Sequence, residues 1–205
     1  MFKYDIRWDN EPDVEEYRRL CLLYPTNPEE ATIGFEVLAE RGSVASMLSL
    51  SSEYLSGRAR PKDTNRAKFW LGKADAGGSA EASFFLGSIY SRENKNDEAF
   101  SAFSRGAVRN YLPAIYRLGT MYRRGLGTVQ DIGRCRTLLE VAASRGHFFA
   151  KRDLATLYMR GRFGLMMIIP GILMLLSVFI EAVAFCVKSV GRDWEEFTYN
   201  ERVLA

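Results

Sequence analysis

The sequence predicts an all-α fold, with helix-turn-helix repeats stacked into a right-handed α-solenoid and one transmembrane helix at the C-terminal side. Three observations carry that expectation. A motif of small residue, leucine, small residue and tyrosine returns four times at a near-constant period. A second helical pattern lies between the returns, and an almost uninterrupted apolar run fills Leu165 to Val187. Self-similarity at a period of 20 to 50 residues marks repeat architectures, because each unit leaves an apolar face that only its neighbours cover.

The anchors are Tyr54, Tyr90, Tyr122 and Tyr158, spaced 36, 32 and 36 residues apart. Eight residues before each stands Ser46, Ala82, Ala114 or Ala150, and three before stands Ser51, Gly87, Gly119 or Ala155. Leu50, Leu86, Leu118 and Leu154 precede the second small residue. At 3.6 residues per turn these positions share one face, and two small notches let a neighbouring helix approach closely. This is helix A of each repeat. Between anchors, "RAKFWLGKADAGG", "EAFSAFSRGAVRN" and "CRTLLEVAASRGH" place Trp70, Phe103 and Leu139 four residues before Ala74, Ala107 and Ala143, which reads as helix B. Gly77, Asn110 and Gly146 are expected to end helix B, and Gly57, Gly125 and Gly161, three after the tyrosine, to end helix A. "SRENKNDEA" lacks that glycine and is four residues short, which accounts for the 32-residue spacing.

The period and wording resemble the Sel-like repeat family, relatives of the tetratricopeptide repeat, over roughly residues 29–161. "PAIYRLGTMYRRGLGTVQD" is nearly a full helix A and loop of that pattern, and "RAKFWLGKADAGG" is close to its helix B. Ser46, Ser51, the short second loop and Arg136 depart from it. The resemblance implies a non-catalytic adaptor or scaffold whose concave groove holds a protein partner, and bacterial proteins similar to the family serve envelope processes, including exopolysaccharide production and signalling. It also implies that non-anchor positions of helix A face the groove, here Phe84, Phe85, Tyr116, Arg117, Arg152 and Asp153. The expected organisation is an acidic helical cap over 1–28, a solenoid over 29–162, a membrane helix over 163–190 and a polar tail over 191–205.

Charge divides along the chain: residues 1–30 hold eight acids and four bases, whereas 120–162 hold nine bases and three acids. The basic face (Arg117, Arg123, Arg124, Arg134, Arg136, Arg145, Lys151, Arg152) has three readings, a solvated surface, contact with anionic lipid, or a site for an acidic partner. Nucleic acid is not expected as a partner, since the aromatics mostly occupy repeat-core positions. Cys21, Cys135 and Cys186 have no metal-ligand spacing and read as buried thiols of a reducing compartment. The N-terminal residues lack the apolar run of a secretory signal, so the repeats are expected in the cytoplasm. The only histidine, His147, reads as structural; "GLGTVQD" and "GGS" read as loop and capping turn rather than phosphate cradles. No catalytic residue, cofactor or metal is expected.

The run "LMMIIPGILMLLSVFIEAVAFCV" contains one charge, Glu181, and as a helix it measures about 35 Å, enough to cross a hydrocarbon core of about 30 Å. Bases preceding it outnumber those following it, which orients the repeats to the cytoplasm in the manner of a single-pass, tail-anchored protein of the bacterial inner membrane. Arg160, Arg162 and Lys188 are expected at lipid headgroups. Glu181 has two readings: it pairs with an integral membrane partner, or the span is shorter and it lies among the headgroups. The combined expectation is a membrane-anchored adaptor that recruits or stabilises a membrane complex; the alternatives are a periplasm-facing scaffold of inverted topology and an accessory subunit of an enzyme.

Overall fold

The computed structural model describes residues 11–161 and 163–189, and all regular structure among them is helical. Ten α-helices follow in order: α1 (Val14–Leu23), α2 (Pro28–Glu40), α3 (Val44–Ser56), α4 (Thr64–Ala76), α5 (Ala80–Arg92), α6 (Asn96–Val108), α7 (Leu112–Arg124), α8 (Ile132–Ser144), α9 (Phe148–Met159) and α10 (Ile168–Ser189). The four tyrosine anchors fall in α3, α5, α7 and α9, as the repeat pattern requires. Helices α4, α6 and α8 are the expected helices B, α2 is an isolated helix B, and α1 is the helix that precedes it. Residues 1–10 of the acidic cap, Arg162 and the tail over 191–205 lie outside the described residues.

Local chemistry sets the helix ends. Ser43, Ser79 and His147 accept a hydrogen bond from the backbone three residues on and so cap helices A; Asp63 and Asp131 do the same for helices B. The backbone N–H of Asp63, Lys95 and Asp131 donates to the carbonyl of Tyr54, Tyr90 and Tyr122 in turn, so each anchor also fixes the connection that follows it. Gly57, Gly125 and Gly161 adopt the left-handed conformation (φ +74°, +65° and +64°), and Asn94 (φ 58°) takes that role in the shortened second loop. One expectation is corrected. After α4 the left-handed residue is Gly78 (φ +92°), while Gly77 is right-handed at φ −73°. The cysteines differ too: only Cys135 is buried, and burial pushes its thiol up to about 11, whereas Cys21 and Cys186 are exposed.

The chain divides into two compact units, Met1–Ala114 and Ile115–Ala205. In the first, small residues let helices interlock: Ala67, Ala74, Ala82, Ala99 and Ala102 are fully buried, and a methyl group on Gly87 would come within 2.7 Å of the Phe103 ring. Phe84, 1% exposed, meets Phe103, Tyr111 and Phe85 at ring separations of 5.8, 5.5 and 5.7 Å. One buried carboxylate ties α4, α5 and α6 together. Asp75 accepts from the Ser83 hydroxyl at 2.5 Å, from Arg105 Nε at 2.8 Å and from Arg109. Burial raises the Asp75 carboxyl, but these three donors outweigh it and hold the group below its ordinary 3.8. We expect Asp75→Ala to lower the unfolding free energy of this unit by about 2 kcal/mol, less than a fully buried pair because both arginines are partly solvated. Urea denaturation followed by circular dichroism checks this.

In the second unit α7, α8 and α9 form the same alternation, with Ala142, Ala150 and Ala155 fully buried and Leu139 and Leu154 at 0% and 2% exposure. Helix α10 does not stand apart as a separate span. It packs along α9, and Gly171 approaches so closely that a methyl group there would lie 2.9 Å from Tyr158 Cβ and 3.0 Å from the Ala155 carbonyl oxygen.

Candidate functional site

The helix A face of the second unit carries a compact group of aromatic and charged side chains built on α7 and α9. Position eleven before each anchor tyrosine is the start of helix A; it is serine in the first two repeats and Tyr111 and His147 in the last two. His147 Nδ1 accepts from the Ala150 backbone N–H at 3.2 Å, so the neutral ring carries its proton on Nε2. Its ring stacks on Tyr116 at 4.5 Å and 27°, and Phe149 lies 6.4 Å from Tyr116. Asp153 is 6% exposed at the centre of the group. It accepts from Tyr116 Oη at 3.2 Å and from Arg152 Nη2 at 2.9 Å, and Arg123 pairs with it at 3.4 Å. Arg152 also lies over the Phe149 ring at 4.9 Å.

Of the six residues expected in one groove, Tyr116, Arg152 and Asp153 are brought into direct contact, and Arg117 lies close enough to act electrostatically on both Tyr116 and His147. Phe84 and Phe85 belong to the other unit. Phe84 is a correction, since its ring is consumed by core packing and presents nothing to a partner, while Phe85 is half-buried against it. Asp153 is likewise beneath the surface, where it orients the side chains that do reach solvent. Sequence reasoning did not assign His147, Phe149 or Arg123 to the groove. The capping column that aligns His147 with Ser43 and Ser79 contained the signal.

Arg123 and Arg152 around the Asp153 carboxylate, with Arg117 near Tyr116 and His147, leave this surface with a cationic excess, walled by tyrosine, histidine and phenylalanine. Such a surface suits an acidic, aromatic-containing segment, with stacking and charge-assisted hydrogen bonds as its means of recognition. Burial raises the Tyr116 hydroxyl, and neighbouring Asp153 adds to this, so the phenol stays a donor. Burial lowers His147 from its ordinary 6.5, and Arg117 adds to this against the opposing Asp153. A depressed histidine is neutral in the folded state, so its contribution to stability is complete above pH 6.5 and falls as the unfolded chain takes up the proton first. We expect urea midpoints to decrease from about pH 6.5 downward, and His147→Asn, which keeps a capping oxygen, to flatten that dependence.

The remaining expected sites lie on or beside α10. Glu181 Oε1 accepts from Lys151 Nζ of α9 at 2.6 Å, so its carboxylate has a partner within this chain. Arg160 ends α9 and is exposed; Lys188 falls in α10 with its side chain outside the described residues, as is the whole of Arg162. Between α8 and α10, floored by α9, lies an open cleft of about 500 Å³ with Glu140, Lys151, Tyr158 and Met174 on its walls. Among the described residues no three His, Cys, Asp or Glu side chains converge as metal ligands would.

The Sel1 repeat family model matches residues 44–78 and 112–147, which are the first repeat and the third through the start of α9. The chain carries Sel1 repeats. Protein SHC1 of Saccharomyces cerevisiae is 33% identical over 105 residues, covering 49% of this chain and 20% of the yeast protein, so the match spans about a fifth of that relative's length. The same helical arrangement occurs in c5321, a protective antigen present in uropathogenic Escherichia coli strains with an SLR fold, at TM-score 0.69 and 23% identity over 73% of this chain and 34% of that one. It occurs again in a Sel1 repeat protein from Oxalobacter formigenes, at TM-score 0.66 and 22% identity over 72% of this chain and 64% of that one. At these identities the likeness establishes the Sel1 fold. One described helix, Leu165–Cys186, is long and apolar enough to cross a membrane, and only 11% of it is buried.

Proposed function

We propose that this Sel1 repeat protein is an adaptor that holds an acidic segment of a partner protein on the α7–α9 surface and is tethered to a membrane through α10. The cluster around Asp153 is the observation that carries the reading. It organises Tyr116, Arg123 and Arg152 into a preformed cationic and aromatic surface beside Arg117, which limits the side-chain ordering a partner must drive. The tether explains why a 22-residue apolar helix follows the repeats with so little of it covered. A membrane complex whose integral subunit exposes an acidic cytoplasmic segment is the partner this combination fits, with the repeats on the cytoplasmic side.

The test is purification of the full chain from its native membranes in mild detergent, with a photo-cross-linking residue at position 117. A stoichiometric integral membrane protein cross-linked there, and lost from Arg117→Glu/Arg152→Glu with helicity unchanged, supports the reading. A full chain that purifies alone, or a partner indifferent to the double charge reversal, overturns it.

A further inference from the structure

Helix α10 continues the repeat register. Helix B begins its buried face at Ala67 and Cys135, each thirteen residues after its anchor tyrosine, and Gly171 stands thirteen after Tyr158. In the shortened repeat the equivalent is Ala99, nine after Tyr90. Seven residues further on, Ala74, Gly106 and Ala142 are matched by Val178, which is 6% exposed. Helix α10 is therefore helix B of the fourth repeat, docked on α9 through Gly171 and Val178 and paired to it through Lys151 and Glu181.

What differs is the rest of its circumference. Leu71, Phe103 and Leu139 are 0%, 2% and 0% exposed inside the helix stack, whereas the equivalent Leu175, with no described helix after α10, is 36% exposed. A fifth repeat or a second copy stacked there would account for that flank alone. The side opposite α9 is also apolar. Where α8 presents Thr137 and Ser144 to water and turns Arg136 and Glu140 towards Tyr158 of α9, α10 presents Leu173 and Ile180 outward, at 61% and 65% exposure, and Ile172 and Leu176 on the flank, at 43% and 53%. A helix apolar on its outward face as well as its stacking flank calls for hydrocarbon rather than another helix.

Docking and crossing exclude each other. About 15 Å of α10, from Gly171 to Glu181, lies alongside α9, and only about 12 Å extends beyond, against a hydrocarbon core of about 30 Å. Standing upright while docked, α10 would carry Lys151 and Arg152 into lipid, at about 2.5–3.5 kcal/mol for each charge. Lying in the plane of the surface, it immerses the face opposite α9 and leaves α9 and its charges in the aqueous layer. The nine Lys and Arg against three Asp and Glu in residues 115–161 then favour an anionic surface.

We infer that α10, docked as the fourth helix B, lies in the plane of an anionic bilayer and binds the protein to one face of it without crossing. This rests on the membrane tether proposed above and replaces its geometry. The test joins Lys151→Cys to Glu181→Cys with a short bismaleimide, in a Cys21→Ser/Cys186→Ser background, and adds the full chain with a C-terminal epitope tag to sealed phosphatidylcholine vesicles with and without phosphatidylglycerol. The expected result is that the cross-linked protein floats with the anionic vesicles as well as the uncross-linked one. Its tag should remain open to external protease, and Leu176→Lys/Ile180→Lys should reduce flotation at least tenfold with helicity retained. If the uncross-linked chain floats with a protected tag and the cross-linked chain does not float, α10 leaves α9 to cross, and this inference fails while the tether stands. If neither floats, both fail, and a dimer seen by light scattering assigns the apolar face to a second copy.

Discussion

Phe84→Ala is expected to lower the unfolding free energy of the first unit by about 3–5 kcal/mol, the range for removing a fully buried aromatic ring. Three rings surround it within 5.8 Å, and α5 and α6 are interlocked through Gly87, so the space left behind has little means of collapsing. Neighbouring Phe85 is half-buried, and Phe85→Ala is expected to cost about 1 kcal/mol. Urea denaturation of both variants measures the difference. A loss below about 1 kcal/mol for Phe84→Ala would show that its ring does not support the core and would return it to the partner-facing residues.

The second large effect is expected from Gly171→Leu. Even the Cβ of that side chain would fall 2.9 Å from Tyr158 Cβ, 3.0 Å from the Ala155 carbonyl oxygen and 3.0 Å from the Met159 nitrogen, and two of those atoms belong to backbone that cannot move aside. Overpacking of this kind costs about 1–3 kcal/mol, more than the partly exposed Lys151–Glu181 pair returns, so α10 should separate from α9. The bismaleimide yield in the Lys151→Cys/Glu181→Cys background measures docking directly and should fall at least fivefold. Gly72→Ala in α4 is the control: nothing lies within 4 Å of its added methyl, and the variant should gain up to about 1 kcal/mol from helix propensity. An undiminished cross-linking yield in Gly171→Leu would mean that α10 does not dock through this glycine.

These two positions also show where sequence reading stops. Phe84 and Phe85 are adjacent aromatics on one helix, and nothing local says which of them the next helix will cover. Tyr122 and Tyr158 were legible as equivalents because both sit at one register position of a repeat. His147 was legible only as a lone histidine, since its stacking on Tyr116 joins residues 31 apart in the chain. Glu181 illustrates the same limit. An isolated carboxylate in an apolar run points to a partner, but that partner, Lys151, lies 30 residues upstream and is brought near by the docking of α10.

By itself the sequence determined the all-helical class, the hairpin period, most of the residues that end the helices and the presence of one long apolar helix, because each of these depends on spacings of a few residues along a single helix or turn. Tertiary structure alone decided that Phe84 serves the core, that Asp153 gathers Tyr116, Arg123 and Arg152 into one surface, and that the apolar helix docks on α9. Those outcomes depend on which faces meet once the helices pack. A close approach such as that of Gly171 to Tyr158 exists only between elements, so no pattern within either helix can report it.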